Sequence, residues 1–405
     1  MNSVVLSYAR ISLPSLLVFC LYAVFFTDII NLVMYKSAGE NGLVSTVSRA
    51  ILELLLLLIL FRNKEYIPII IMCIFTALNL FGMLIVYSLE GGAIISISEI
   101  LSNLIIVNKF FFVFLMCYVF YIYRANQRFI KSLYTFFEFA FLIYVATIFS
   151  GYIFGIDIFE SYIGRDRFGY KGVIVTQNEA VGLFLVGMFY FYTKFKVTGG
   201  AINLLFMCMV FFAGFLVGSK ACMVFLSLAF IVMGMTLLKK KKVWFFIVLA
   251  LPFMLLFDWG GFAEKLNSTR DYVLYFYNKG DSILSIILTG RNWRVETLIE
   301  ELFFRDHYTW YNYFFGGFNF LRLGTEMDFF DVLTLFGLAG LLYYILYIRM
   351  LYSFSGRSKD MVWFLVIFLI PSTLGGHLIY NAVIPVFLLI MCLRMRELAL
   401  NRPAV

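Results

Sequence analysis

The feature that most constrains this chain is a train of long apolar runs separated by short polar connections. The runs centre near residues 13–34, 43–61, 66–87, 98–123, 132–155, 178–193, 201–217, 220–238, 243–257, 329–349, 361–375 and 377–393. Bilayer hydrocarbon about 30 Å thick takes roughly 20 apolar residues per helix. Backbone polar groups facing lipid must be satisfied internally, which leaves helices and closed barrels. The alternating segments of about 10 residues that a barrel uses are absent. With 63% hydrophobic and 14% charged residues and a mean hydropathy of +0.93, an ordinary soluble globular composition is excluded. The expectation is an all-α polytopic membrane protein with about 12 transmembrane helices, forming a single membrane domain over residues 1–405. Leu13 to Met34 is too long for a signal-peptide core and lacks an evident cleavage site, so it reads as a retained span.

Charge tests that count. Basic clusters fall at Arg62/Lys64, Arg124/Arg128/Lys131, Lys194/Lys196, Lys239 to Lys242, Arg349/Arg357/Lys359 and Arg394/Arg396/Arg402. Splitting 201–238 near Gly218 puts every one of them on the side of Arg10. By the positive-inside rule both termini are then cytoplasmic. The net charge of +8 follows topology and does not point to nucleic acid. The other connections fall outside, chiefly about 156–177 and a large loop at about 258–328. A loop of that length between spans is uncommon and tends to be functional or disordered. Six scattered cysteines and two histidines, His307 and His377, form no ligand pattern, so no metal and no cofactor is expected.

Several outer arginines and lysines run against the orientation bias and call for a ligand or acidic partners. Arg165, Arg167 and Lys171 sit in the 156–177 loop just before Gln177-Asn178-Glu179. Guanidinium forks suit diphosphate oxygens, although Glu160 and Asp166 could equally neutralise these cations. Asn178 also suits a helix start. Gly218-Ser219-Lys220 opens a helix at the membrane surface, which is either an anion site or a snorkelling lysine. The large loop carries Gly290-Arg291-Asn292-Trp293-Arg294 ahead of a helix expected from about Val295 to Phe304. Its aromatic stretch from Tyr308 to Phe320 suits interfacial anchoring or a sugar-binding groove. Glu326, Asp328 and Asp331 then crowd the mouth of a span. One of them could take a proton from a hydroxyl, or all could be counter-ions for the arginines. Glu99, Lys109 and Glu138 lie within or near spans, where such residues face the bundle interior.

Taken in order, these pieces resemble bacterial O-antigen polymerases (Wzy type) within the O-antigen ligase-like superfamily. The resemblance rests on the arginine-bearing loop leading to Asn178, on Gly218-Ser219-Lys220, and on Gly290-Arg291 with Trp293. Phe336-Gly337-Leu338-Ala339-Gly340 after the acidic segment and Gly376-His377 complete it. It covers about residues 150 to 393; the first 150 match only in being hydrophobic. Lys220 stands where relatives often carry arginine. Glu326-Met327-Asp328 stands where ligase relatives usually carry a His-Asn pair, which leans towards a polymerase using a carboxylate.

The resemblance implies a GT-C-like glycosyltransferase in the bacterial inner membrane. The donor would be an undecaprenyl-diphosphate-linked oligosaccharide at the periplasmic face. The acceptor would be another lipid-linked repeat unit, with a chain-length regulator as a further partner. Arg165, Arg291, Glu326 and Asp328 would be catalytic. Arg167, Lys171, Asn178, Lys220, Arg294 and His377 would bind substrate or diphosphate. Two alternatives stand beside this reading: a ligase transferring polymer to lipid A core, and a flippase or other transporter of the polysaccharide unit.

Overall fold

A computed structural model describes residues 12–38, 44–90, 95–162, 168–174, 176–238, 291–303, 308–376, 378–381 and 383–400, with isolated positions 267, 270, 274, 285 and 288. The side chains of 35–38, 90, 178 and 303 also fall outside the description. Eight helices open the chain: α1 (Leu13–Ala38), α2 (Val44–Arg62), α3 (Ile67–Glu90), α4 (Ile97–Ile122), α5 (Gln127–Phe154), α6 (Gln177–Thr198), α7 (Ala201–Leu216) and α8 (Lys220–Leu238). Seven more are described from residue 291 on, the first three within the large loop: α9 (Arg291–Phe303), α10 (Trp310–Phe315), α11 (Phe320–Leu323), α12 (Asp328–Phe336), α13 (Ala339–Phe354), α14 (Lys359–Gly375) and α15 (Ile384–Leu400). Among the described residues there is no strand, only an isolated bridge between Glu160 and Tyr170.

Seven of these helices, α1 to α6 and α8, are long and apolar enough to cross a bilayer; α7 and α13 are apolar but shorter. The architecture is consistent with a polytopic helical membrane protein. Large apolar side chains point outward along the peripheral helices, as at Phe19, Leu54, Ile74 and Ile105. That is the surface lipid would cover. Helix α6 is the hub. It packs against α7, α8, α14 and α15, and its run Ala180 to Thr193 is buried throughout. The expected split of 201–238 is present, with α7 ending at Leu216 and α8 beginning at Lys220. The expected span at 243–257 lies outside the described residues.

Three expectations are corrected. The run 329–349 is not one helix: Gly337, in the left-handed region at φ 57°, ends α12, and α13 starts two residues later. The last helix begins at Ile384 rather than 377, and the described residues just before it, 376, 378–381 and 383, are not helical. Helix α9 begins at Arg291 rather than about Val295, which places Arg291 and Arg294 on its first turn.

Broken helices expose backbone groups, and buried amides meet them. Asn79 on α3 donates to the Leu335 carbonyl at 2.6 Å. Asn103 on α4 donates to the Phe318 carbonyl at 2.8 Å and accepts from the Phe320 N–H at 3.1 Å. Asn312 donates to the carbonyls of Gly82 and Gly316, each at 3.1 Å. These bonds seat α10 and α12 against the middle of α3. The aromatic stretch is therefore only partly an outward anchor: Trp310 is exposed, while the Tyr311 hydroxyl donates to the Leu78 carbonyl at 3.2 Å.

Asn103 is fully buried, and leaving a buried donor or acceptor unmet costs about 1–3 kcal/mol each. Asn103→Ala should therefore lower the melting temperature in detergent far more than Ile105→Ala on the outward face of the same helix. Equal melting temperatures for the two variants would contradict this account of the fold.

Candidate functional site

The site is built where the large loop re-enters the bundle. Arg291 and Arg294, one turn apart on α9, converge on Glu326 in the connection between α11 and α12. Arg294 Nη1 donates to Glu326 Oε1 at 2.8 Å, and Arg291 Nη2 to Oε2 at a long 3.5 Å. One carboxylate thus faces two guanidiniums, leaving the trio a unit of positive charge. Glu326 is about one-third exposed and Arg294 about one-half, whereas Arg291 is largely buried. Arg291 Nε and Asn292 Oδ1 are buried and meet no hydrogen-bond partner among the described residues. The Arg294–Glu326 pair is open to solvent and worth about 0–1 kcal/mol, and the Arg291 contact is long, so Glu326 is weakly held.

Glu326 is held in an unusual backbone conformation. Its φ is 58°, and a non-glycine residue there costs on the order of 1–3 kcal/mol. Two fully buried carboxylates restrain it. Asp331 Oδ1 accepts from the Thr325 N–H at 2.7 Å and from its hydroxyl at 3.1 Å. Asp328 Oδ2 accepts from Ser372 Oγ at 2.5 Å and from the N–H groups of Leu378 and Ile379 at 3.0 and 3.1 Å. Both sit in the first turn of α12, where negative charge complements the helix dipole. Gly376 closes over this point: a Cβ there would stand 2.1 Å from the Glu326 carbonyl oxygen. The three carboxylates therefore separate by role. Asp328 and Asp331 tie broken backbone together, and Glu326 is the counter-ion of the arginines.

A second group forms around the loop before α6. Ser161 N–H donates to the Gly169 carbonyl at 2.8 Å, and Lys171 N–H to the Phe159 carbonyl at 2.8 Å. The loop then docks on the end of α7, with Tyr170 N–H donating to the Leu216 carbonyl at 2.7 Å and Ser161 Oγ to the Val217 carbonyl at 3.0 Å. Lys171 and the first residue of α8, Lys220, are thus carried on elements that pack together. Burial pushes the Lys171 ammonium below its usual range, and the Glu179 charge pulls it part of the way back. Asn178 lies in the first turn of α6, with its side chain outside the description. Arg165, Arg167 and His377 lie outside the described residues.

The segment 376–381 links the two groups. Gly376 touches Glu326, and the backbone of 378–379 binds Asp328. The Tyr380 ring stacks on Phe110 with centroids 4.8 Å apart, and its hydroxyl donates to Asp331 Oδ2 at 3.4 Å. Asn381 Oδ1 accepts from the N–H groups of Val383 and Ile384 at 2.5 and 3.2 Å. Glu179 lines a narrow cleft with Asp28, Tyr144, Val173, Ile174 and Val383. Asp28 accepts from Arg49 at 2.9 and 3.0 Å and from Ser45 Oγ at 2.5 Å. Lys109 lies within the fields of both Arg49 and Glu179.

Sequence reasoning missed Asp28, Arg49, Tyr380 and Asn381. The first two carried a usable signal, because an ionisable residue well inside an apolar run faces the protein interior. The polar ends of α4 and α5 have local uses: Glu99 caps α4 through Ser96 and accepts from Asn319 at 2.8 Å. Glu138 pairs with Lys194 at 2.7 Å and accepts from Tyr190 at 2.8 Å. Among the described residues no group of three or more His, Cys, Asp or Glu is arranged to hold a metal ion. Compared with protein-family models, curated proteins and solved structures, the chain finds no match, so any functional reading rests on its own residues.

Proposed function

We propose that the chain is a surface-polysaccharide polymerase: a membrane glycosyltransferase acting at the periplasmic face of a bacterial inner membrane. It transfers glycan from a polyprenyl-diphosphate-linked donor to a lipid-linked repeat-unit acceptor. The observation that carries the reading is the surplus positive charge of Arg291, Arg294 and Glu326, with a buried guanidinium nitrogen lacking a partner among the described residues. A diphosphate offers several oxygens to two forks and takes the place of the weakly held carboxylate. The outward apolar surface of the bundle accommodates the polyprenyl tail beside it.

In this scheme the anomeric carbon–oxygen bond breaks as the acceptor hydroxyl attacks, and charge grows on the departing diphosphate. Arg291 and Arg294 are already positioned to meet that charge, and preorganised donors aimed at developing charge are commonly the largest contribution to rate. Glu326, displaced by the substrate, recloses on the arginines when the lipid diphosphate leaves. Asp328 and Asp331 keep the connection in register. Lys171 and Lys220 supply further positive charge from the neighbouring loops.

A transporter of the same lipid-linked unit is the second reading. The Asp28–Arg49 pair inside α1 and α2 favours it, since ionisable groups along a membrane pathway mark transport routes. Deleting the protein and running the surface polysaccharide on a gel separates the readings. A polymerase defect leaves core carrying a single repeat unit, whereas a ligase or flippase defect leaves unsubstituted core. Replacing one guanidinium, Arg291→Ala, should lower polymer synthesis about 100- to 1,000-fold, equivalent to roughly 2.7–4 kcal/mol. Arg291→Lys should recover only part of that loss, because an ammonium cannot make the bidentate contact. Transfer by the purified protein should survive EDTA; a loss restored by a divalent ion would overturn a scheme in which guanidiniums alone meet the diphosphate.

A further inference from the structure

The stretch from Tyr308 to Phe320 belongs by sequence to the large loop, yet it is fastened to the centre of a span. The Tyr311 hydroxyl donates to the Leu78 carbonyl at 3.2 Å. The apolar span of α3 runs from Ile67 to Leu89, so Leu78 lies eleven positions from each end. At about 1.5 Å per residue that is about 16 Å from either end, the midplane of a hydrocarbon layer about 30 Å thick. One turn further along, Asn312 donates to the Gly82 carbonyl at 3.1 Å. The backbones meet directly there. A Cβ on Gly82 would overlap the Gly316 carbonyl oxygen, and one on Gly317 would stand 2.7 Å from the Asn79 carbonyl oxygen. Small residues permit such close approach between segments inside a bilayer.

This seat has a physical reason. The run 329–349 is broken at Gly337, and the break lies at the same depth, because Asn79 of α3 holds the Leu335 carbonyl. Lipid offers no partner to backbone freed by a break, so protein must. Here the loop supplies it: the Tyr313 carbonyl accepts from the Leu338 N–H at 2.9 Å, and the Gly317 N–H donates to the Leu335 carbonyl at 3.2 Å. The polar side chains of α10 turn inward. Asn312 is fully buried, and the Tyr313 hydroxyl donates to the Leu302 carbonyl. The opposite face presents Trp310 and Phe314, one turn apart and 70% and 50% exposed. Phe81 of α3 packs edge-on against Tyr311 beside them and is itself 55% exposed. The outward apolar face of α3 continues past this point through Leu84 and Leu89. A surface helix in water turns its polar groups outward; α10 does the reverse.

We infer that residues 308–320 form a re-entrant segment inserted into the bilayer, with the Trp310–Phe314 face covered by lipid acyl chains. The partner of this aromatic surface is bilayer hydrocarbon and not a sugar ring. The segment returns through α11, where Asn103 and Glu99 of α4 hold Phe318, Asn319 and Phe320. Arg322 of α11 then pairs with Glu301 of α9 at 3.0 Å. The helix that carries Arg291 and Arg294 is thereby moored to membrane-embedded structure. The inference does not depend on what those arginines bind.

The test places the full-length protein in phospholipid nanodiscs and reads the collision of a nitroxide label with oxygen, which concentrates in hydrocarbon, and with nickel(II) ethylenediaminediacetate, which stays in water. Labels go on Trp310→Cys and Phe314→Cys, each in a Cys73→Ser background, because Cys73 is an exposed native cysteine. A label on Cys73 itself, on the outward side of α3, is the lipid reference, and one on the exposed Arg128→Cys at the start of α5 is the water reference. At 310 and 314 the oxygen collision rate should match that at Cys73, and the nickel collision rate should fall several-fold below that at 128. Nickel reaching either position as freely as 128 would show a water-filled groove and overturn the inference. A label-free measurement checks the same point. Trp310→Phe should remove emission that mid-chain-brominated phospholipid quenches; removal of iodide-quenched emission instead would count equally against the inserted segment.

Discussion

An unmet backbone N–H or carbonyl facing hydrocarbon costs several kcal/mol, and the whole arrangement follows from where this chain breaks its helices regardless. Lipid-exposed backbone must be helical, whereas irregular backbone at depth survives only inside protein that supplies partners. Here Asn79 meets the backbone before Gly337, Asp328 meets that of Leu378 and Ile379, and Asn103 and Asn312 meet that of the 316–320 stretch. These side chains stand in for the missing helical hydrogen bonds. Each is worth far more as an anchor than a surface polar contact, because its removal strands a buried partner.

The candidate site hangs on those anchors. Glu326 keeps its strained conformation because Asp331 knits Thr325 on one side and Gly376 closes on the other. Arg291 and Arg294 find Glu326 because α9 starts early enough to put both on its first turn. Strain of this kind persists where surrounding structure overdetermines it, and such places are commonly functional. The weak pairing of the trio is also informative. A deeply buried carboxylate–arginine cluster would be a permanent strut, whereas a partly exposed one with surplus charge can exchange its internal anion for an external one.

Much of the frame could be read directly. Membrane class, helical character and the split near Gly218 followed from apolar runs and residue types, whereas counter-ion and proton acceptor stayed equally open for Glu326. The separation of Glu326, Asp328 and Asp331 could not be read, because three carboxylates within six residues look alike until the backbone they bind is known. The helix starts at Arg291 and not at Val295 because arginines at 291 and 294 resemble loop in sequence, yet in the structure they form a first turn paired with Glu326. Asp28 and Arg49 were overlooked although they obeyed the rule applied to Lys109.

By itself the sequence determined the solvent this protein lives in and the helices that solvent allows, because hydropathy and run length are local properties with a bilayer thickness as their ruler. It also determined which residue types were available for anion binding. The tertiary structure alone decided which of them meet. Asn103 holds the Phe318 backbone across 215 positions and Asp328 holds the backbone fifty residues on. Such pairings are set by how broken helices nest against α3, α4 and α6, and no periodicity along the chain encodes them.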